Sequence, residues 1–337
     1  MSDGFVASGF EKVREAFDAE PRGGSALAVI RRGEVVVDLR EGWRDPDRTV
    51  PWDENTLVNV YSVGKPVIAL ALLMLVERGR VALDDAIARH WPEFQAGATV
   101  RHALTHTAGL PVFPVKRPAE AWAHWDQLCT DLAAATSEWP PGTVAAEHAL
   151  TYGHLIGEIV RRVDGRPPAR FVAEEIAGPY GADLGFGLGP DDIARCAELE
   201  FGGIEWPERQ ARFIGNPPGT RDLAVVNSDL WRSATIPAVN LHATAMAVAR
   251  FYDGLMTRPI GATMASPQFE GVDRFIGSHT VWGLGVQIEP DGTWGMGGLG
   301  GNAGWADPGR GQAIGYVTRR LGDFGTVERI DQALAMS

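Results

Sequence analysis

The two ends of this chain carry strand-like patterns, and this arrangement constrains the fold more than any other feature. Near the start, residues 25–30 and 34–39 are apolar runs separated by Arg31-Arg32-Gly33, a pattern that predicts a β-hairpin. Near the end, residues 282–288 and 312–318 predict strands, with a glycine-rich turn at 295–304 between them. The long stretch in the middle instead contains short helical patterns broken by proline and glycine.

Strands at both ends with helices between them predict one mixed sheet built from the two termini, plus an inserted helical lobe. We therefore expect a single domain over residues 1–337. Residues of about 1–80 and 240–337 would form an α/β lobe, and about 81–239 the helical lobe. A cleft between two such lobes is a natural ligand site.

The composition excludes several classes of function. The chain has 337 residues and a net charge of −12, which disfavours nucleic acids and acidic membranes as partners. Cys129 and Cys196 show neither metal-ligand spacing nor a disulfide framework. The start, residues 1–17, predicts an amphipathic helix and not a signal peptide, and no apolar run is long enough to span a membrane. We expect a cytoplasmic monomer or homodimer that uses no cofactor or metal.

The stretch Ser62-Val63-Gly64-Lys65 is the strongest chemical signal. Lys65 is one of three lysines, with Lys12 and Lys116, among 31 lysines and arginines. Arginine stays protonated in proteins, whereas a buried lysine can lose its proton and then accept one from a serine hydroxyl. A catalytic serine with a lysine base is therefore one reading of this tetrapeptide.

The other reading of the tetrapeptide is structural. Residues 63–78 predict a helix, so Ser62 would stand at its start and share a face with Lys65. In that position Ser62 is an ordinary N-cap and Lys65 a surface residue. The free N–H groups of a helix start also favour negative charge on the serine oxygen, which fits catalysis equally well.

The surrounding segments support catalysis, because they resemble the serine β-lactamase-like superfamily in the right order. The resemblance is closest to the family VIII carboxylesterases, relatives of class C β-lactamases and D-Ala-D-Ala peptidases. It is carried by residues 56–67, 100–111, 141–153, 282–285 and 297–307.

This resemblance implies an α/β (α+β) β-lactamase/transpeptidase-like fold, with an antiparallel sheet flanked by helices plus a mostly helical lobe. It also implies an acyl-enzyme on Ser62 with Lys65 as base. By motif position, the Ser62 and Leu299 N–H groups would form the oxyanion hole. Gly298, Met296 and Tyr61 would line the same site, and the substrate would be a small ester or other acyl compound.

Two positions depart from the family pattern. Counting from Pro141-Gly142-Thr143, the tyrosine of the second motif is replaced by Glu147, which gives Glu147-His148-Ala149. The cationic or tryptophan position of the third motif is held by Met296, so a donor for a substrate carboxylate is missing and β-lactams are disfavoured. His148 either reaches the cleft or holds Glu147 in place.

Glu147 leaves three hypotheses open. In the first, it acts as a general base and the protein is a carboxylesterase-type hydrolase. In the second, Ser62, Lys65 and Glu147 serve a biosynthetic reaction such as acyl transfer or proton abstraction. In the third, Glu147 and Lys65 form a buried ion pair that silences the serine, which leaves a ligand-binding pseudoenzyme.

Overall fold

The computed structural model describes residues 2–203 and 207–337, so Met1 and residues 204–206 of the predicted lobes lie outside it. Its strands are β1 (Asp3–Val6), β2 (Gly24–Arg31), β3 (Glu34–Gly42), β4 (Val58–Asn59), β5 (Leu184–Gly185), β6 (Glu200–Phe201), β7 (His242–Ala243), β8 (Phe269–Val272), β9 (His279–Trp282), β10 (Gln287–Ile288), β11 (Trp294–Gly298), β12 (Asn302–Asp307), β13 (Gln312–Thr318) and β14 (Arg320–Leu321).

The α-helices are α1 (Glu11–Asp18), α2 (Lys65–Glu77), α3 (Ile87–His90), α4 (Val100–Leu104), α5 (Trp125–Ala133), α6 (Tyr152–Asp164), α7 (Pro168–Val172), α8 (Gly178–Tyr180), α9 (Pro190–Ile193), α10 (Glu208–Ile214), α11 (Leu223–Val226), α12 (Asp229–Ser233), α13 (Ala245–Met256), α14 (Pro259–Met264) and α15 (Gly325–Leu334). Two 3₁₀ turns, Tyr61–Gly64 and Ala119–Ala123, and a π turn at Ala173–Ala177 complete the described elements. None of the helices in the two described ranges combines the length and apolarity needed to cross a bilayer.

Nine strands form one antiparallel sheet in the order β1-β3-β2-β13-β12-β11-β10-β9-β8. The C-terminal β13 pairs with the N-terminal β2, so the two ends of the chain meet in the middle of the sheet. This is the antiparallel sheet that the resemblance implied. The mixed sheet predicted from the two termini is wrong in strand direction, because every pair of neighbours in this sheet is antiparallel. The lobe boundaries near residues 80 and 240 remain a prediction.

Alternation along β2 explains why helices cover both faces of the sheet. Leu27 and Val29 pack with α1 and α15 on one face, whereas Ala28 and Ile30 belong to the large core on the other face. On that second face, α13 approaches β13 very closely at Gly315, where a Cβ would overlap the backbone of α13. A residue with a side chain would therefore push α13 away from the sheet.

Helix α2 runs through the main core. Ten of its thirteen residues are buried, and these include Lys65 at its first position. A helix that is apolar all round belongs in the interior, and α6 packs beside it there. The serine turn at the start of α2 is therefore anchored to a helix in the main core.

Three local predictions differ from the structure. The predicted helix over residues 1–17 is wrong at its start, because β1 pairs with β3 there and α1 begins only at Glu11. The predicted strand 282–288 is divided into β9 and β10 by a tight turn, in which Gly285 has φ +87°. The predicted glycine-rich turn at 295–304 consists mainly of the ends of β11 and β12, and only residues 299–301 turn.

Candidate active site

Ser62 lies in the 3₁₀ turn Tyr61–Gly64, and α2 begins three residues later, at Lys65. The expected position of Ser62 as the N-cap of this helix is therefore wrong, because a separate turn precedes α2 and Gly64 is its N-cap. Tyr61, just before the serine, has φ +50°, a left-handed conformation that costs a non-glycine residue about 1–2 kcal/mol. Its N–H donates to Asn59 Oδ1 at 3.0 Å and its hydroxyl to Thr220 O at 3.2 Å, so both ends of the strained residue are held. The turn presents Ser62 half-buried at the wall of a cavity.

Lys65 is fully buried, and its amine contacts three oxygens. Nζ lies 2.6 Å from Ser62 Oγ, 2.9 Å from Glu147 Oε1 and 3.1 Å from Ala238 O. Three acceptors match the three N–H bonds of an ammonium group. Burial lowers the pKa of Lys65, while the Glu147 carboxylate opposes that shift. The amine is thus placed to exchange a proton with either neighbour.

Glu147 reaches Lys65 from an irregular segment that precedes α6. Its side chain is 7% exposed, which fits a residue of the cleft wall and not a solvated surface residue. The Glu147 N–H donates to Asp273 Oδ1 at 3.1 Å, which fixes the backbone beneath the carboxylate. Replacement of the family tyrosine by Glu147 therefore puts an acceptor, and not a phenol, beside the lysine.

The end of β11 lies against the serine turn, and Leu299, the residue expected to supply the second donor, follows it directly. A Cβ at Gly298 would overlap the carbonyl oxygen of Val60, so only glycine fits there. Neither the Ser62 N–H nor the Leu299 N–H donates to another group among the described residues. Both residues line the same cavity, and free backbone donors at such a place suit a developing oxyanion.

The cavity has a volume of about 640 Å³ and brings together seven of the eight residues predicted for the site, counting Lys65 through its contact with Ser62. Met296 lines it from β11 and packs against Trp282, so its position offers no cation to a substrate. Sequence reasoning missed most of the apolar lining, because nothing in the local pattern of loops and short helices marks a residue as cavity-facing. These further apolar residues are Leu150, Ile214, Val239, Phe275, Ile276 and Phe324.

His148 is the predicted site residue that the structure places outside the cavity. It is fully buried, its Nδ1 pairs with Ala146 O at 2.8 Å, and its Nε2 accepts from the Leu110 N–H at 3.2 Å. Its own N–H donates to His106 Nδ1 at 3.0 Å. Both ring nitrogens are paired with backbone groups, of Ala146 and of Leu110, which favours the reading in which His148 holds the segment around Glu147 in place. Burial lowers the pKa of His148 to about 4, which keeps the ring neutral.

Comparisons with known proteins agree with this geometry. The beta-lactamase family model matches residues 11–336. The chain is 32% identical to the esterase/beta-lactamase LipL of Mycobacterium tuberculosis, over 89% of this chain and 77% of LipL. It is 31% identical to the esterase EstB of Burkholderia gladioli, over 48% of this chain and 47% of EstB.

Two solved structures superpose over 100% of this chain and 100% of their own. One is a family VIII carboxylesterase, with a TM-score of 0.92 and 29% identity. The other is a penicillin-binding protein homologue from Caulobacter crescentus, with a TM-score of 0.91 and 33% identity. With the sheet, the buried lysine and the serine turn described above, these matches show that the chain belongs to the beta-lactamase family.

Proposed function

We propose that this protein is a serine ester hydrolase of the carboxylesterase type that forms an acyl-enzyme on Ser62. The observation that carries the proposal is the position of Lys65 Nζ, which lies within hydrogen-bond distance of both Ser62 Oγ and Glu147 Oε1. The names of the relatives, an esterase/beta-lactamase, an esterase and a family VIII carboxylesterase, support the same activity.

In the acylation step, Glu147 takes a proton from Lys65, and the neutral amine then takes the hydroxyl proton of Ser62. The serine oxygen attacks the ester carbonyl, and the oxyanion accepts from the Ser62 and Leu299 N–H groups. Collapse of the tetrahedral intermediate breaks the bond to the alkoxide, which leaves as an alcohol with the Lys65 proton. Each backbone donor of this kind contributes about 2.7–4 kcal/mol to acyl transfer.

Deacylation uses the same groups in reverse roles. A water molecule in the position of the departed alcohol gives a proton to the Lys65–Glu147 pair and attacks the acyl carbon. The acid leaves, and the proton returns to Ser62 Oγ. Glu147 is suited to this step, since it lines the cavity beside Ser62.

The substrate class follows from the cavity lining. Met296 provides no cation for a carboxylate, and the Arg22 guanidinium in the wall is paired with Asp323 at 3.1 Å. Aliphatic and aromatic side chains form the largest group in the wall. We therefore expect uncharged small esters and disfavour β-lactams. The cytoplasm remains the expected compartment, supported by two buried cysteines that are free thiols.

The Lys65–Glu147 pair also supports a second candidate function. A buried ion pair at 2.9 Å that keeps Lys65 protonated would silence Ser62 and leave a ligand-binding protein. The two candidates differ in whether Ser62 is nucleophilic.

Intact-mass measurement after incubation with a fluorophosphonate tests this point, together with turnover of p-nitrophenyl acetate. We expect one adduct per chain and steady turnover, both lost in Ser62→Ala. The matched control is Ser137→Ala, because Ser137 donates only to backbone oxygens remote from the cavity. An unlabelled and inactive wild-type protein would exclude the hydrolase and favour the second candidate.

A further inference from the structure

Asp273 connects three parts of the active site without facing the cavity. It follows β8, its side chain is fully buried, and four N–H groups point at its carboxylate. Oδ1 accepts from the N–H groups of Glu147 at 3.1 Å, Phe275 at 2.8 Å and Ile276 at 3.0 Å, and Oδ2 accepts from Trp282 Nε1 at 3.0 Å.

The four partners of Asp273 are all donors, so both of its oxygens act as acceptors, as in an ionised carboxylate. Two of the bonds close the local turn after β8. The other two are made to Glu147, 126 residues earlier in the chain, and to the side chain of Trp282 on β9. A buried acceptor with this many donors is costly to disturb, because each donor would lose its partner away from water.

These bonds fix groups with direct roles in the site. Glu147 contacts Lys65, so the bond to its N–H sets the point from which its carboxylate reaches the amine. Phe275 and Ile276 form part of the apolar cavity wall. One oxygen, Asp273 Oδ1, therefore sets both the acid/base pair and the wall that confines the acyl group.

We propose that Asp273 is a positioning residue. It holds the Glu147 carboxylate against Lys65 and fixes its position relative to the cavity wall at Phe275 and Ile276. This inference rests on the proposed hydrolase function, and it assigns no contact between Asp273 and substrate. A purely structural role would lower stability without a specific loss of turnover.

Asp273→Asn is the main test. The amide oxygen can replace Oδ1 as an acceptor, but the NH₂ group then meets the Trp282 indole N–H. The two donors repel each other, so the side chain has to shift and its bond to the Glu147 N–H is weakened. We expect kcat for p-nitrophenyl acetate to fall roughly 10-fold to 100-fold, in the range that a small misplacement of a catalytic group costs. KM should change less than about threefold, because acetate fills little of the wall, in keeping with a transition-state effect.

If the inference is right, the loss of kcat in Asp273→Asn arises through Glu147. A double-mutant cycle measures this dependence directly. In a Glu147→Gln background, Asp273→Asn should cause less than a further twofold loss. If the two losses simply multiply, Asp273 does not act through Glu147 and the inference is wrong. Should Asp273→Asn fail to fold, Trp282→Phe removes the indole donor, together with part of the ring volume, and leaves the Asp273 carboxylate in place. This variant should give a smaller loss of kcat with the same dependence on Glu147.

Glu158→Gln is the matched control. Glu158 is also a buried carboxylate that accepts a tryptophan N–H, from Trp125 Nε1 at 2.8 Å, but it lines a different cavity. We expect this variant to lose thermal stability and to keep its kcat. An equal fall in kcat for Glu158→Gln and Asp273→Asn would show a general loss of structure and would contradict the inference.

A crystal structure of Asp273→Asn separates this inference from the function on which it rests. If the wild-type protein has no turnover, the hydrolase proposal fails, whereas the position of Glu147 can still be measured. We expect Glu147 Oε1 to move out of hydrogen-bond reach of Lys65 Nζ. A pair that stays at 2.9 Å in the variant would overturn the positioning role whatever the activity.

Discussion

At the scale of single residues, the main feature is Glu147, a carboxylate at the position where the motif of the resembled family has a tyrosine. A phenol can donate and accept a proton, whereas an ionised carboxylate only accepts. Glu147 therefore stabilises the charged form of Lys65, in opposition to the burial that lowers its pKa. The reactivity of Ser62 depends on the balance between these two effects.

Glu147→Gln tests that balance. If Glu147 is the base, we expect kcat for p-nitrophenyl acetate to fall about 10²–10⁴-fold, the usual contribution of general base catalysis. The residual activity should have its acidic limb at lower pH, because Lys65 loses the carboxylate that raises its pKa. Full activity in Glu147→Gln would exclude the base role.

Glu147→Tyr restores the residue type of the family at this position. With the geometry around Lys65 retained, we expect higher turnover of p-nitrophenyl acetate than in Glu147→Gln, and a rise above the wild-type rate if the carboxylate restrains Lys65. The comparison uses kcat/KM at one pH, normalised to the fraction of Ser62 that reacts with a fluorophosphonate. Equal rates for the Tyr and Gln variants would argue against a proton-transfer role at this position.

At the scale of helices and strands, some features are determined by the local sequence, whereas others depend on contacts between elements. Arg32-Gly33 form the predicted hairpin turn with φ of +52° and +81°, and Gly165 ends α6 in the left-handed conformation. These features depend only on neighbouring residues, so the sequence predicts them. The break between β9 and β10 depends on Gly285 packing against Ala69 of α2, a contact that no local pattern reveals. His148 similarly resembles a site residue, and only the distant Leu110 N–H shows that it is structural.

Gly298→Ala tests the contact between β11 and the serine turn. The new Cβ would meet the Val60 carbonyl, so the strand end or the turn must move. We expect the free energy of unfolding to fall by about 1–3 kcal/mol, as for other overpacked sites, and kcat to fall more than tenfold, because the Leu299 donor is displaced. Urea unfolding and p-nitrophenyl acetate kinetics measure the two effects.

Gly297→Ala is the neighbouring control. Its Cβ would come within 3.0 Å of the Phe324 ring, which is 41% exposed and free to turn away. We expect a clearly smaller loss of both stability and kcat. Similar losses at 297 and 298 would show that the Val60 contact is not what makes glycine necessary.

At the scale of the whole molecule, buried neutral histidines should dominate the loss of stability at acidic pH. Burial lowers the pKa of His148 to about 4, and of His154 and His242 to about 3, from an ordinary value of 6.5. Below pH 6.5 the unfolded chain binds protons at these positions and the folded protein does not. Stability is therefore fully present above pH 6.5 and falls as the pH drops toward 4.

Each of these histidines should lower the free energy of unfolding by on the order of 1 kcal/mol per pH unit in that window. His154→Phe isolates one of them, since both of its ring nitrogens lack a hydrogen-bond partner in the described structure and the ring stacks on Trp125. We expect the variant to show a shallower loss of stability between pH 7 and 5 in urea titrations. An unchanged slope would mean that His154 binds protons equally in the folded and unfolded states, and that burial does not lower its pKa.

The placement of β13 between β2 and β12 has a consequence for synthesis on the ribosome. Ser62 and Lys65 emerge early, but the Leu299 donor and the strand that supports it belong to the last fifth of the chain. The edge of β2 has no partner until about residue 318 has been made. An incomplete chain thus holds Ser62 and Lys65 without the Leu299 donor of the proposed oxyanion hole, so we expect hydrolytic activity to begin only when translation of the sheet is finished.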